Sequence, residues 1–79
     1  MIEKQVIRDF LTTLANKEIP IGDDDSLLAT RLLDSLKVSE LIVFLENHYK
    51  VTYESDELTP DNLDTINAIV SLLERKGVS

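Results

Sequence analysis

The chain has 79 residues, enough for one small domain, and a folded chain of this size buries only about 60% of the surface of its unfolded form. It contains no cysteine, which excludes disulfides and thiolate zinc sites, and its two glycines cannot form a glycine-rich phosphate loop. Fifteen acidic against eight basic side chains give a net charge of −7, which argues against nucleic acid or an anionic membrane as partner. We expect one domain over residues 1–79, with a monomer as the default. Because neither a membrane span nor a signal peptide is evident, we expect the protein to be cytoplasmic.

The acidic charge is concentrated in the middle of the chain. Residues 22–64 carry eleven acidic and three basic side chains, a net charge of −8, whereas the remainder carries +1. This asymmetry is typical of a solvated face that keeps a small protein soluble. It also fits a negative docking surface for basic partners. Charge alone favours the solvated face and leaves the docking surface open.

The first predicted helix spans residues 2–16, where apolar side chains recur every four positions and form one face. That face consists of Ile2, Val6, Phe10 and Leu14, with Ile7 and Leu11 beside them. Pro20 and Gly22 end the pattern. Residues 17–34 then form a connection that is long for so small a domain, and such loops are often functional. Its leucines suggest that the loop is anchored to the core.

A second helix is predicted from Ser35 to Tyr49, because Asp34 and Ser35 can cap its first turn and apolar residues follow a 3.6-residue period. The expected inward face is Val38, Leu41, Leu45 and His48 or Tyr49. Residues 51–53 form a short β-prone link.

Two more helical segments complete the pattern. Thr59 and Pro60 are start signals for a brief turn that runs through Leu63. A last helix is predicted over residues 65–76, with Ile66, Ile69, Val70 and Leu73 facing inward and Gly77 as its stop. The fold class is therefore all-α: a small bundle of three main helices and one short helix, with a long first loop.

The sequence offers no candidate catalytic or metal-binding site. His48, the only histidine, lies beside Tyr49 on the second predicted helix, where we expect a packed or half-exposed side chain and not a catalyst, and no second histidine or cysteine accompanies it. Asp23, Asp24 and Asp25 suggest calcium, but an EF-hand loop alternates its ligands, has glycine at position six and ends in glutamate. Counted from Asp23 as position one, positions six and twelve are Leu28 and Asp34, so we expect no metal site. By elimination, the chain is a binding or carrier module.

One motif remains, Asp34-Ser35-Leu36 at the junction of the long loop and the second helix. It is preceded by Asp25-Ser26-Leu27 and followed by an apolar-acidic helix, and residues 58–66 read Leu-Thr-Pro-Asp-Asn-Leu-Asp-Thr-Ile. With these blocks, the whole chain resembles the acyl carrier protein family, which includes aminoacyl and peptidyl carriers.

The resemblance implies an antiparallel helical bundle in which Ser35 is esterified by 4′-phosphopantetheine, with Asp34 and Leu36 beside it. A separate magnesium-dependent phosphopantetheinyl transferase would attach the arm from coenzyme A. The arm ends in a thiol, so cargo would be carried as a thioester and the protein itself would supply no catalytic residue. A helix N-terminus is a suitable place for the phosphodiester, because its dipole and free N–H groups favour an anion.

In the family, the second helix is read by basic patches on transferases, ligases and synthases. We expect the equivalent surface here to be Leu36, Ser39, Glu40, Val43, Glu46, Glu54, Asp56 and Glu57. Two positions depart from the family pattern. Arg31 stands where glycine commonly precedes the motif, and Lys37 places a positive charge directly after it.

The motif also bears on which carrier this is. Carriers of primary fatty acid synthesis typically read Gly-Ala-Asp-Ser-Leu, whereas this chain reads Leu-Leu-Asp-Ser-Leu over residues 32–36. Residues 58–62 resemble freestanding carriers of specialised pathways, which handle aminoacyl, peptidyl or secondary-metabolite acyl groups. The alternatives are a housekeeping fatty acid carrier and, from another class, a helical interaction module whose Ser35 is only a helix cap and is never modified.

Overall fold

The computed structural model describes residues 2–15, 22–31 and 33–78; of Ser35 it describes the backbone but not the side chain. In these ranges the chain is all-helical and contains no strand, as the sequence predicts. None of the described helices is long and apolar enough to cross a membrane.

Helix α1 spans Lys4–Ala15 and packs against both α2 and α4. Ile7 and Leu11 are fully buried, whereas Val6, Phe10 and Leu14 are only half-buried. The predicted inward face was therefore rotated: the two residues placed beside the stripe form its buried centre. Two neighbours cause the shift, because a helix between two others buries the side chains that point between them.

Helix α2 spans Ser35–Tyr49, with the bounds that the sequence predicts. Leu41 and Leu45 are fully buried, and Val38 is half-buried. Of the two alternatives at the end of the predicted face, Tyr49 is half-buried against the core and His48 is exposed. The imidazole of His48 stacks on Phe44, which in turn stacks on Phe10 of α1 with ring centroids 4.0 Å apart. The helix ends at Lys50, which has a left-handed φ of 58°.

Three short elements follow α2. A 3₁₀ helix over Ser55–Glu57 was not predicted; α3 spans Pro60–Leu63 and α4 spans Ile66–Arg75. Thr59 occupies the cap position of α3, but among the described residues its side chain caps no N–H group, whereas the Thr65 hydroxyl accepts from the Ala68 N–H at 2.9 Å and caps α4. Helix α4 packs on α3 and α1 and supplies the largest share of the core. Its buried residues are Ile66, Ile69, Val70, Leu72 and Leu73.

The long loop is anchored to the core, as its leucines suggest. Leu27 and Leu33 are buried, Leu28 is 39% exposed, and Leu32 lies outside the described residues. Two of the three consecutive aspartates, Asp23 and Asp24, bind different helices. Asp23 pairs with Arg8 and Lys4 of α1, and Asp24 accepts from the Asn67 amide of α4 at 2.6 Å. No group of potential metal ligands forms within the described ranges.

Candidate functional site

The candidate site is built at the start of α2, where Asp34 ends the loop in an extended conformation and Ser35 begins the helix. The Asp34 carboxylate accepts a hydrogen bond from the Lys37 N–H at 2.9 Å, and its carbonyl accepts from the Val38 N–H at 2.8 Å. Asp34 is thus the N-cap of a 15-residue helix. The first-turn N–H groups and the helix dipole give this end a partial positive charge, so an anion is favoured beside Ser35.

The exposed side of α2 carries two large apolar side chains. Leu36 is 71% exposed and Val43 is 55% exposed. Seven residues complete almost two turns, so these side chains lie within about 20° of one another around the helix. Ser39 and Glu40 lie between them in sequence and are also exposed. We call these four residues, Leu36, Ser39, Glu40 and Val43, the α2 face.

The acidic residues of the expected partner surface have different surroundings. Glu40, Glu54 and Asp56 are exposed. Glu46 is half-buried, and its carboxylate accepts from the Tyr53 N–H at 2.9 Å, so it holds the link after α2. Glu57 accepts from the Glu54 N–H at 2.8 Å and pairs with Lys76 at 2.6 Å. Sequence reasoning did not separate the exposed acids from the paired ones: Glu46 and Glu57 accept from N–H groups seven and three residues away, and only Lys76, nineteen residues from Glu57, is distant.

The pair between Glu57 and Lys76 joins the 3₁₀ helix to the end of α4. The hydrogen bond from the Glu54 N–H and the neighbouring ammonium of Lys76 lower the pKa of Glu57 below its ordinary value. Lys76 also lies over the ring of Tyr53, 5.3 Å from its centroid. Burial, together with the negative charge of Glu57, raises the pKa of Tyr53 to about 12.

A cleft lies beside the start of α2 and has a volume of about 260 Å³. Asp34 lines it together with apolar residues from the loop, from α2 and from the segment that leads into α3. Those apolar residues are Leu28, Leu33, Val38, Leu58, Pro60 and Leu63. The cap of α2 therefore borders an apolar recess and not a flat polar surface.

Arg31 precedes this site in a conformation that side chains rarely adopt. Its φ is 62°, its N–H donates to the Leu28 carbonyl at 3.1 Å, and its side chain is exposed. Glycine adopts this left-handed conformation without steric cost, whereas other residues pay about 1–2 kcal/mol. The sequence singled out Arg31 as a departure from glycine, and the loop keeps the turn that glycine favours.

One residue of the site was missed by sequence reasoning. Asp64, between α3 and α4, accepts from the Ser26 hydroxyl at 2.7 and 2.9 Å and from the Leu28 N–H at 3.0 Å. Ser26 and Asp64 each lie in a sequence block that carries the family resemblance, but sequence spacing does not show that the two blocks are in contact.

Sequence comparisons find relatives among known carrier proteins. An acyl carrier protein of Exiguobacterium sibiricum is 32% identical over 78 residues, which cover 94% of this chain and 96% of that protein. A D-alanyl carrier protein of Streptococcus suis is 31% identical over 86% of both chains. A D-alanyl carrier protein of Streptococcus mutans is 40% identical over 47 residues, 60% of both chains. No protein-family model matches the chain.

Proposed function

Since the chain belongs to the carrier protein family of its acyl carrier and D-alanyl carrier relatives, we propose that Ser35 bears a 4′-phosphopantetheine arm on which an acyl or aminoacyl cargo is carried as a thioester. The chain would then be a non-catalytic shuttle that is loaded and unloaded by other enzymes. The observation that carries the proposal is the cap of α2: Asp34 accepts from the Lys37 N–H at 2.9 Å and so places Ser35 at the first position of a 15-residue helix.

The residues around Ser35 fit such an arm. The arm is attached through a phosphodiester, and the start of α2 favours an anion. The carboxylate of Asp34 already accepts a hydrogen bond from the Lys37 N–H. Leu36 is exposed directly after Ser35, and the cleft of about 260 Å³ borders Asp34. When bound, the group supplies a terminal thiol that forms a reactive thioester with the cargo.

Partner enzymes would bind the α2 face. Its exposed leucine and valine offer a small apolar contact, and Glu40 supplies negative charge beside it. Glu54 and Asp56 extend the negative charge past the end of α2. Charges at such a rim mainly steer association, so a phosphopantetheinyl transferase, a ligase or a synthase with a basic patch is the expected partner.

Two classes of cargo are in question. The relatives include an acyl carrier protein over nearly the whole chain and D-alanyl carrier proteins over up to 86% of it. We favour an aminoacyl or specialised acyl cargo, because residues 32–36 read Leu-Leu-Asp-Ser-Leu and residues 58–62 match freestanding carriers of specialised pathways. A housekeeping role in fatty acid synthesis is the alternative.

The proposal is tested by intact-mass measurement after incubation with coenzyme A, magnesium and a transferase of broad specificity. The wild-type chain should gain one phosphopantetheine, Ser35→Ala none, and Ser71→Ala on α4 should gain one like the wild type. A wild-type chain without the increment, or a Ser35→Ala chain with it, would contradict the proposal. Comparing ATP-dependent ligases for amino acids and for fatty acids on the modified chain then decides the cargo class.

A further inference from the structure

Two sequence blocks that lie 38 residues apart meet in a cluster of hydrogen bonds centred on Asp64. The Ser26 hydroxyl lies 2.7 and 2.9 Å from the two carboxylate oxygens of Asp64, and the Leu28 N–H donates to one of them at 3.0 Å. The Leu27 N–H donates to the backbone carbonyl of Asp64 at 2.6 Å. Three consecutive loop residues are therefore held by one residue at the junction of α3 and α4.

The carboxylate of Asp64 is not needed to begin α4. The hydroxyl of Thr65 caps that helix by accepting from the Ala68 N–H at 2.9 Å. The Ser26 hydroxyl, in turn, also accepts from the Ala29 N–H at 3.0 Å, which extends the cluster by one more loop residue. Charge-assisted hydrogen bonds are about twice as strong as neutral ones, so Asp64 is the strongest tie of this part of the loop.

The anchored loop leads to the cap of α2 through one further contact. The carbonyl of Leu27 accepts from the Leu33 N–H at 3.1 Å, and both side chains are buried. Leu33 directly precedes Asp34, the cap residue of α2. The position of Asp34, and with it the backbone of Ser35, therefore depends on where Asp64 holds residues 26–28.

We propose that Asp64 is a positioning residue for the modification of Ser35, acting through the loop and not by contact with the arm. The inference rests on the proposed function. Without the Asp64 carboxylate the loop would sample several positions, and only a fraction of molecules would present the start of α2 correctly. A transferase that binds only the correct form sees its apparent affinity reduced by that fraction, so KM rises while kcat is retained.

The experiment measures steady-state modification of Ser35 over a range of carrier concentrations, together with hydrogen exchange of the loop amides. Asp64→Ala should raise KM for the carrier about tenfold with kcat within about twofold, and should speed exchange at Leu27, Leu28 and Ala29. Asp64→Asn retains an oxygen acceptor and should give a KM between those of the wild type and of Asp64→Ala. Ser26→Ala should act in the same direction and add little when combined with Asp64→Ala, because both remove the same contact.

Two controls separate positioning from general effects. Asp61→Ala removes an exposed acidic side chain from α3, three residues before Asp64, and should keep the wild-type KM. Ile7→Val weakens the core at a residue that takes no part in the Asp64 hydrogen bonds, and should lower the denaturation midpoint without raising KM. If Asp64→Ala does not fold, Asp64→Asn and Ser26→Ala provide the same test.

The outcomes distinguish this inference from the function on which it rests. A wild-type chain that is modified, with Asp64→Ala and Ser26→Ala at the wild-type KM, overturns the role of Asp64 and leaves the carrier function standing. An equal rise in KM for Ile7→Val would also overturn it, since lost stability would then suffice. A wild-type chain that accepts no arm overturns the carrier function itself.

Discussion

Helices α2 and α4 contain similar apolar residues and use them differently. In α4, five of ten residues are buried in the core. In α2, which has 15 residues, Leu41 and Leu45 are buried, Leu36 and Val43 are exposed, and other apolar residues are half-buried. A helix that buries its apolar residues on one face supports the core, whereas large apolar residues that stay exposed add little to the core and are available for contact with a partner. Apolar content alone therefore does not distinguish support from recognition.

The largest expected effect separates the two helices by stability. Leu73→Ala in α4 should lower the free energy of unfolding by about 3 kcal/mol, because Leu73 is fully buried and its loss leaves a cavity. Leu36→Ala in α2 should change it by less than about 0.5 kcal/mol, because Leu36 is exposed. Urea denaturation followed by circular dichroism compares the two variants. Equal losses would show that α2 is as much a support as α4.

A second pair of variants separates the helices by recognition. Val43→Asp should slow modification of Ser35 by about tenfold or more at every salt concentration, because an interfacial apolar contact is replaced by a buried charge. Ser71→Asp, which adds the same charge to the exposed side of α4, should leave the rate unchanged. Initial rates at low and high salt provide the measurement. A Val43→Asp chain that reacts at the wild-type rate would move recognition away from the α2 face.

A third comparison is made within α2, between its two glutamates. Glu46→Lys should cost about 1 kcal/mol of stability, because the Tyr53 N–H loses its acceptor. Glu40→Lys should barely affect stability and should slow modification several-fold at low salt, an effect that salt screens. Thermal melts and rates at two salt concentrations test both. If Glu40→Lys reacts normally at low salt, the exposed acids of α2 serve solubility only.

The smallest effect concerns acid stability at the end of α4. The pKa of Glu57 is lowered in the folded chain, so its ionised form stabilises the fold above the ordinary pKa near 4.5. This contribution is lost as the pH falls from there through the lower folded value. Melting temperatures between pH 3 and 7 should therefore fall more steeply at the acidic end for the wild type than for Glu57→Gln. Identical pH profiles would show that the pair with Lys76 contributes nothing.

Much of the fold could be predicted from the sequence because its signals are local. The spacing of apolar residues, the Asp34 cap and the stop at Gly77 predicted the bounds of α2 and α4 within one residue. Rotation of α1 about its axis could not be predicted, because Ile7 and Leu11 are buried only once two neighbouring helices are in place. The 3₁₀ helix was missed although Glu54 and Glu57 form a local capping box; only the pair of Glu57 with Lys76, nineteen residues away, could not be predicted from spacing.

The candidate site divides in the same way. The position of Ser35 at the start of α2 follows from a short motif and its cap. Leu36 and Val43 were expected on a partner surface; both side chains are exposed, and their contact with a partner stays a prediction. The junction between Ser26 and Asp64 joins positions 38 residues apart, and the contact of Glu46 with the Tyr53 N–H depends on how the chain turns after α2, so sequence spacing reveals neither.

The core contribution of α4 has a consequence for biosynthesis. A ribosome makes the chain from its N-terminal side, at about 5–20 residues per second, so α1 emerges before α4, the helix that packs against it. Until α4 is complete, the nascent chain lacks Ile66, Ile69, Val70, Leu72 and Leu73 and exposes the apolar residues of α1 that they would cover. The hydrogen bond from the Ser26 hydroxyl likewise cannot form until Asp64, 38 residues later in the chain, has been synthesised. The hydrogen bonds that hold the loop before α2 should therefore form only late in synthesis, once Asp64 has left the ribosome.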